Sequence, residues 1–270
     1  MNVNAKPEPQ PQPLNRPKPP GKLKHYLTAA FILILVWGSA VQSKADWGKL
    51  IKGAPNMLEL LKEMFPPNWG YFDNIVAAML ETIRMALIGT TFGAILAVPV
   101  ALLCASNLSR TAWIYQPFRF VLNLVRTIPD LLLAAIFVAV FGLGPLPGML
   151  ALSIFSFGLI GKLTYEALET IDHGPLEAMT SVGASSGQRI IFGVIPQIQA
   201  HFMSYVLYTF EINVRAAAVL GLVGAGGIGH YYEVTLGFFE YDKTCMIILF
   251  TLAVVLIIDY LSTKLRERLL

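Results

Sequence analysis

Six charged side chains interrupt long apolar stretches of this sequence, and their spacing makes them candidates for chemistry. Arg126 and Asp130 are four residues apart, as are Glu211 and Arg215, so on a continuous helix each pair can meet on one face. Glu81 and Arg84 are three apart. A charge inside an apolar run is expensive unless it faces protein or a water-filled path. An arginine on such a path offsets the charge of an anion and offers an oxyanion two parallel N–H donors. Arg215 is the first candidate for that work and Arg126 the second, with Asp130, Glu211 and Asn213 beside them. Self-neutralised structural pairs at helix ends are the competing reading.

The run Gly224-Ala225-Gly226-Gly227-Ile228-Gly229 fits G-x-G-x-x-G. As a dinucleotide fingerprint that pattern needs a preceding strand and a following helix in a βαβ unit. Apolar helical sequence flanks it on both sides, so a nucleotide role is rejected. A flexible turn or re-entrant loop fits better, with Gly224, Gly226, Gly227 and Gly229 letting it reshape as a gate. The sequence contains no Walker A motif, H-E-x-x-H or nucleophile elbow. His25, His173, His201 and His230 lack ligand spacing, and Cys104 and Cys245 sit far apart in apolar sequence, as packing residues do. No catalytic residue and no metal site is expected.

The elements that must position these residues are apolar helices. Of the 270 residues, 55% are hydrophobic and 14% charged. A soluble domain carries about 25% charged residues, so lipid must cover much of the surface. Runs long enough to span a bilayer are His25–Val41, Ile75–Cys104, Phe120–Phe141, Pro147–Tyr165, Ile195–Asn213 and Thr244–Ser262. The expected fold is therefore all-α, a polytopic bundle of about six transmembrane helices. The third run carries a kink at Pro129. Residues 1–24 hold seven prolines and read as a disordered cytoplasmic tail, and 25–42 read as a retained first span. The segment 43–73 is read as external. Within it Asn56 is expected to cap a short amphipathic helix ending near Phe65. Residues 74–270 hold the other five spans. Basic residues Arg110, Arg119, Arg189, Lys264, Arg266 and Arg268 put both termini in the cytoplasm.

The longest cytoplasmic connection runs over 170–196. Gly174-Pro175 ends the preceding helix, Leu176 to Val182 is helix-compatible, and Gly183 permits a turn at positive φ. Here Glu177-Ala178-Met179, then Gly183, then Ile195-Pro196, resemble the EAA loop of ABC-importer permeases. That pattern reads Glu-Ala-Ala, three residues, Gly, nine residues, Ile-x-Leu-Pro. The spacing is kept, while Met179 stands for the third Ala, Gly193 for Ile and Ile195 for Leu. The resemblance implies a helix-turn-helix that docks in a cleft of an ATPase subunit. Glu177 can pair with a basic group there, Ala178 permits close approach, and Glu166, Glu169 and Asp172 add negative charge.

Arg126-Thr-Ile-Pro-Asp130 and Asn213-Val-Arg215, running on to Gly229, are similar to the phosphonate-transporter branch of these permeases, a type I importer fold. Phe65-Pro-Pro67, Tyr115-Gln-Pro117 and Phe210-Glu-Ile-Asn-Val-Arg215 carry the same likeness, which covers roughly residues 45–270. It implies import of phosphonates or related phosphorus oxyanions across a bacterial inner membrane by alternating access. It also implies these partners: a second copy of this chain, two ATPases that bind the ATP and Mg, and a soluble or lipid-anchored binding protein. No cofactor in this chain and no nucleic acid is expected. Import of phosphite, phosphate, methionine or another small solute is the alternative within the class. A membrane enzyme or scaffold is the alternative outside it.

Overall fold

The computed structural model describes residues 22–43, 47–109 and 111–269. Most of the Pro-rich segment lies outside the described residues, as do Lys44, Asp46 and Arg110. The described chain is helical, with no strand among the described residues. In order, the helices are α1 (Leu23–Gln42), α2 (Trp47–Met64), α3 (Phe72–Cys104), α4 (Ala112–Thr127), α5 (Asp130–Phe141) and α6 (Pro145–Glu169). Then come α7 (Gly174–Ser181), the single turn α8 (Ser186–Gln188), α9 (Ile195–Leu220), α10 (Ile228–Gly237) and α11 (Tyr241–Leu269). The chain divides into two compact units, one up to Leu58 and one from Glu59 onward.

In the first unit, α1 is apolar on every face and buries no residue. That pattern suits a helix surrounded by lipid. Helix α2 corrects an expectation. It begins at Trp47 and continues through Pro55, so Asn56 is an interior residue, not a cap. Apolar residues recur at helical spacing on both sides of the proline (Ile51, Leu58, Leu61), and that continuing stripe outweighs the hydrogen bond Pro55 removes.

In the second unit, α3, α6, α9 and α11 are long and apolar enough to cross a membrane. The expected third span is two helices: α4 and α5 meet at 84°. Ile128 precedes Pro129 and is forced out of the helical region (φ −82°, ψ 121°), and Pro129 itself is extended (ψ 138°). Two successive extended residues turn the axis instead of kinking it.

Close crossing of α3 on α6 organises the unit. A methyl group on Gly89 would lie 2.6 Å from the Leu152 Cβ, and one on Gly93 would overlap Ser156. Small residues at a helix crossing let the backbones approach and gain dispersion energy where lipid supplies no hydrophobic drive. Helix α9 joins this crossing through Asn213. Its side-chain amide donates to Thr90 Oγ1 (2.7 Å) and Ser156 Oγ (2.6 Å). Apolar layers lie to either side, one around Met85, Leu133, Leu152 and Leu220, another around Leu122, Tyr165, Leu168 and Val194. Cys104 and Cys245 are buried and free.

Candidate coupling and translocation sites

The segment after α6 is a rigid module built from short-range signals. Gly174 N–H donates to Asp172 Oδ1 (2.9 Å) and Pro175 sits in the first turn, so α7 starts where its missing donor does no harm. At its other end Gly183 takes φ +81°. Gly183 N–H donates to Thr180 O (3.0 Å) and Ala184 N–H to Met179 O (3.0 Å), the paired bonds of a Schellman stop. Two residues later a capping box restarts the helix: Ser185 N–H donates to Gln188 Oε1 (2.8 Å), and Gln188 N–H to Ser185 Oγ (3.4 Å). A π-helical stretch, Arg189–Val194, then runs into α9, with Pro196 in the first turn of α9.

Three side chains, Gln197, Arg189 and Met179, fold this module on itself. Asp172 N–H donates to Gln197 Oε1 (3.0 Å), and Gln197 Nε2 donates to Asp172 O (3.2 Å) and Gly193 O (2.8 Å). Arg189 donates to Thr180 Oγ1 (3.3 Å) and Ser186 Oγ (3.1 Å). Met179 lies over buried Gly193, where an added methyl would come within 3.2 Å of its sulfur. Met179 and Gly193, the two departures from the resembled pattern that most change side-chain size, therefore fill one another's space.

Glu177 and Ala178 are exposed, beside the exposed apolar Val182. Glu177 has no ion pair and no side-chain hydrogen bond among the described residues. The acidic surface expected around it is smaller than the sequence suggests. Glu166 pairs with Lys162, and Asp172 is spent on the start of α7. Glu169 is held by Arg119 and Ser106, with the Arg119 guanidinium stacked 4.8 Å from both the Tyr115 and Tyr165 rings. Those groups fasten α3, α4 and α6 together near the module, leaving Glu177 as the free carboxylate of the four.

The membrane charges divide three ways. Glu211 and Arg215 meet as expected on α9, with Nη2 2.5 Å from Oε1. Arg266 of α11 joins them, 3.0 Å from the other carboxylate oxygen. Arg126 and Asp130 do not share a helix face, because the bend at Ile128-Pro129 lies between them. The Arg126 stem instead lies across Gly158 of α6, and Asp130 Oδ1 accepts from Leu131 N–H (2.8 Å). Asn213 is fully buried, within the helix packing and away from any open surface in this conformation. Glu81 does not pair with Arg84. Its carboxylate accepts from Gly227 N–H (3.1 Å), while Thr82 Oγ1 accepts from Ile228 N–H (2.8 Å), so α3 supplies the cap of α10.

Gly224, Gly226 and Gly227 all take positive φ. A methyl on Gly226 would come within 2.7 Å of Glu81 Oε1, and one on Gly229 would strike the backbone of Ala218 and Gly221. In this conformation the glycines are needed for close packing against α3 and α9. Arg266, read from sequence only as a basic residue of a cytoplasmic end, is the functional candidate missed. Its partner is 55 residues away, and no local pattern marks such a pair.

Comparisons agree with this architecture. The family described as binding-protein-dependent transport system inner membrane component matches residues 97–270. The chain is 35% identical over 222 residues to the phosphite transport system permease protein PtxC of Stutzerimonas stutzeri, covering 82% of this chain and 81% of that one. It is 37% identical over 221 residues to the phosphate-import permease protein PhnE of Mycolicibacterium smegmatis, covering 82% of this chain and 42% of that longer protein. Among solved structures, the inward-facing MetNI methionine ABC transporter has a TM-score of 0.67 at 20% identity, covering 75% of this chain and 99% of that one. That likeness is one of fold.

Proposed function

The chain belongs to the family of binding-protein-dependent transport system inner membrane components and is a permease subunit of an ABC importer, and from that premise we propose that it carries phosphonates or related phosphorus oxyanions inward by alternating access. The observation that carries the coupling half of this reading is the α7 module. It is a short helix with an exposed Glu177 that has no ion pair among the described residues, closed by Gly183 and braced by Gln197 and Arg189. Such a module moves as one piece when an ATPase cleft pushes on it. One module per chain and two ATPase subunits make the working permease a homodimer. ATP and Mg are bound by the ATPases, and an external binding protein, soluble or lipid-anchored, delivers the substrate. Both termini face the cytoplasm, and this chain performs no hydrolysis.

The phosphorus-oxyanion half rests on the two relatives, whose names carry phosphite and phosphate. It rests also on Arg215, half exposed and paired with the buried Glu211 carboxylate through one of its N–H donors. A path must release what it admits, so Arg215 is a weak, passing contact, with Arg126 on the same route. The packed loop Gly224–Gly229 acts as a gate that shifts as one unit with α10.

The test is reconstitution of the chain with its ATPase and binding protein in proteoliposomes. Methylphosphonate or phosphite is expected to stimulate ATP hydrolysis and to accumulate inside, while methionine does neither. Stimulation by methionine alone would overturn the substrate class and leave the importer class standing. Neutralising Arg215 is expected to reduce uptake far more than membrane abundance.

A further inference from the structure

Glu211 has more positive charge around it than it can neutralise. Its side chain is 7% exposed, with Arg215 on one oxygen at 2.5 Å and Arg266 on the other at 3.0 Å. One carboxylate balances one guanidinium, so the cluster keeps a net charge of about +1. A staple between α9 and α11 needs only one arginine.

The two arginines are not equivalent. Arg215 is 51% exposed and borders a 290 Å³ cavity between α9, α10 and α11. The walls are otherwise Ala218, Val219, Leu222 and Val255 with Tyr232 and Thr251, so Arg215 is its one charged group among the described residues. The Thr251 hydroxyl has no hydrogen-bond partner among the described residues. Arg266 is 24% exposed and does not border that cavity. It lies 5.7 Å from the Tyr208 ring and also donates to Thr263 Oγ1 (3.1 Å), while its Nε is enclosed without a partner. Helix direction explains how it reaches Glu211. Arg215 and Val219 border Thr251 and Val255, whereas Leu207 meets Ser262, so α9 and α11 run antiparallel. Side chains lean toward the start of their own helix, which tilts Glu211 and Arg266 toward each other.

Pulling Arg215 off a buried carboxylate that it alone neutralised would strand a charge. With Arg266 on the second oxygen, Glu211 stays compensated when Arg215 leaves. We propose that Arg266 is a positioning residue for oxyanion capture: it holds Glu211 so that Arg215 can exchange that carboxylate for a tetrahedral phosphorus oxyanion entering the cavity. Arg266 does not touch the substrate. This rests on the reading of the chain as a phosphorus-oxyanion permease.

The test is uptake of methylphosphonate by the complete reconstituted complex, per unit of assembled permease. Arg266→Gln leaves Glu211 to Arg215 alone, locks the pair, and is expected to lower uptake about tenfold, the factor that goes with losing one charge-assisted contact. Arg266→Lys, which still reaches the carboxylate, is expected to retain uptake. The decisive variant is Arg266→Gln with Glu211→Gln, which removes the lock and is expected to recover uptake to within about threefold of the unaltered complex. A purely structural staple would instead lower the amount of assembled permease and its unfolding temperature in Arg266→Gln, both of which this reading leaves unchanged. If the double variant is no better than Arg266→Gln in a complex that transports methylphosphonate, this proposal fails alone. If the unaltered complex transports neither methylphosphonate nor phosphite, the substrate reading falls and takes this proposal with it.

Discussion

The coupling module and the charged cluster on α9 each place a few polar groups in a very apolar chain, but they are held by different kinds of contact. Every bond that shapes the module spans at most 25 residues: the Asp172 cap, the Schellman stop at Gly183, the capping box at Ser185 and the Gln197 brace. The cluster and the glycine loop depend on distant segments, 55 residues from Glu211 to Arg266 and 146 from Glu81 to Gly227. The module can therefore move as one body against its partner, while the Glu211–Arg266 contact and the glycine loop change only when whole helices change position.

Substitutions that ask whether each region is local or long-range can break that contrast. The largest effect is expected at Gly229. A valine there meets the backbone of Ala218 and Gly221, and should cost about 3 kcal/mol, the upper end for overpacking. Membrane abundance and the unfolding temperature in detergent should fall together; unchanged values would mean the loop is loose and not packed. Gly183→Val comes next. Nothing lies within 4 Å of the added group, so only the positive φ opposes it, by about 1–2 kcal/mol. Abundance should hold while ATPase co-purification weakens. An equal loss of abundance would show that the module is not independent of the bundle. Ser185→Ala should be mildest, about 1 kcal/mol from one lost cap. It is read as a small decrease in uptake with assembly intact.

The same contrast explains what the sequence made legible. Five of the six spans and the turn at Gly183 are short-range decisions of glycine and apolar period, and the described residues have them. Gly174-Pro175, expected to end the preceding helix, opens α7 instead, since α6 already stops at Glu169. Arg126 and Asp130 do not meet, because four-residue spacing brings side chains together only on a continuous helix. Pro129 pushes Ile128 out of that conformation and carries Asp130 onto α5. Asn56 departs from expectation for the opposite reason, since α2 runs straight through the proline beside it. Glu81 and Arg266 were visible as charges, but their partners were not. Gly89 and Gly93 form a G-x-x-x-G face on α3 that accepts α6; that spacing marks a close crossing but does not say which helix makes it.

The most direct measurement concerns Glu177, the exposed carboxylate of the module. In the reconstituted complex Glu177→Lys is expected to leave membrane abundance unchanged, to weaken co-purification of the ATPase, and to abolish substrate-stimulated uptake. Full ATPase binding and full uptake in that variant would contradict the assignment of α7 as the element through which ATP hydrolysis drives transport.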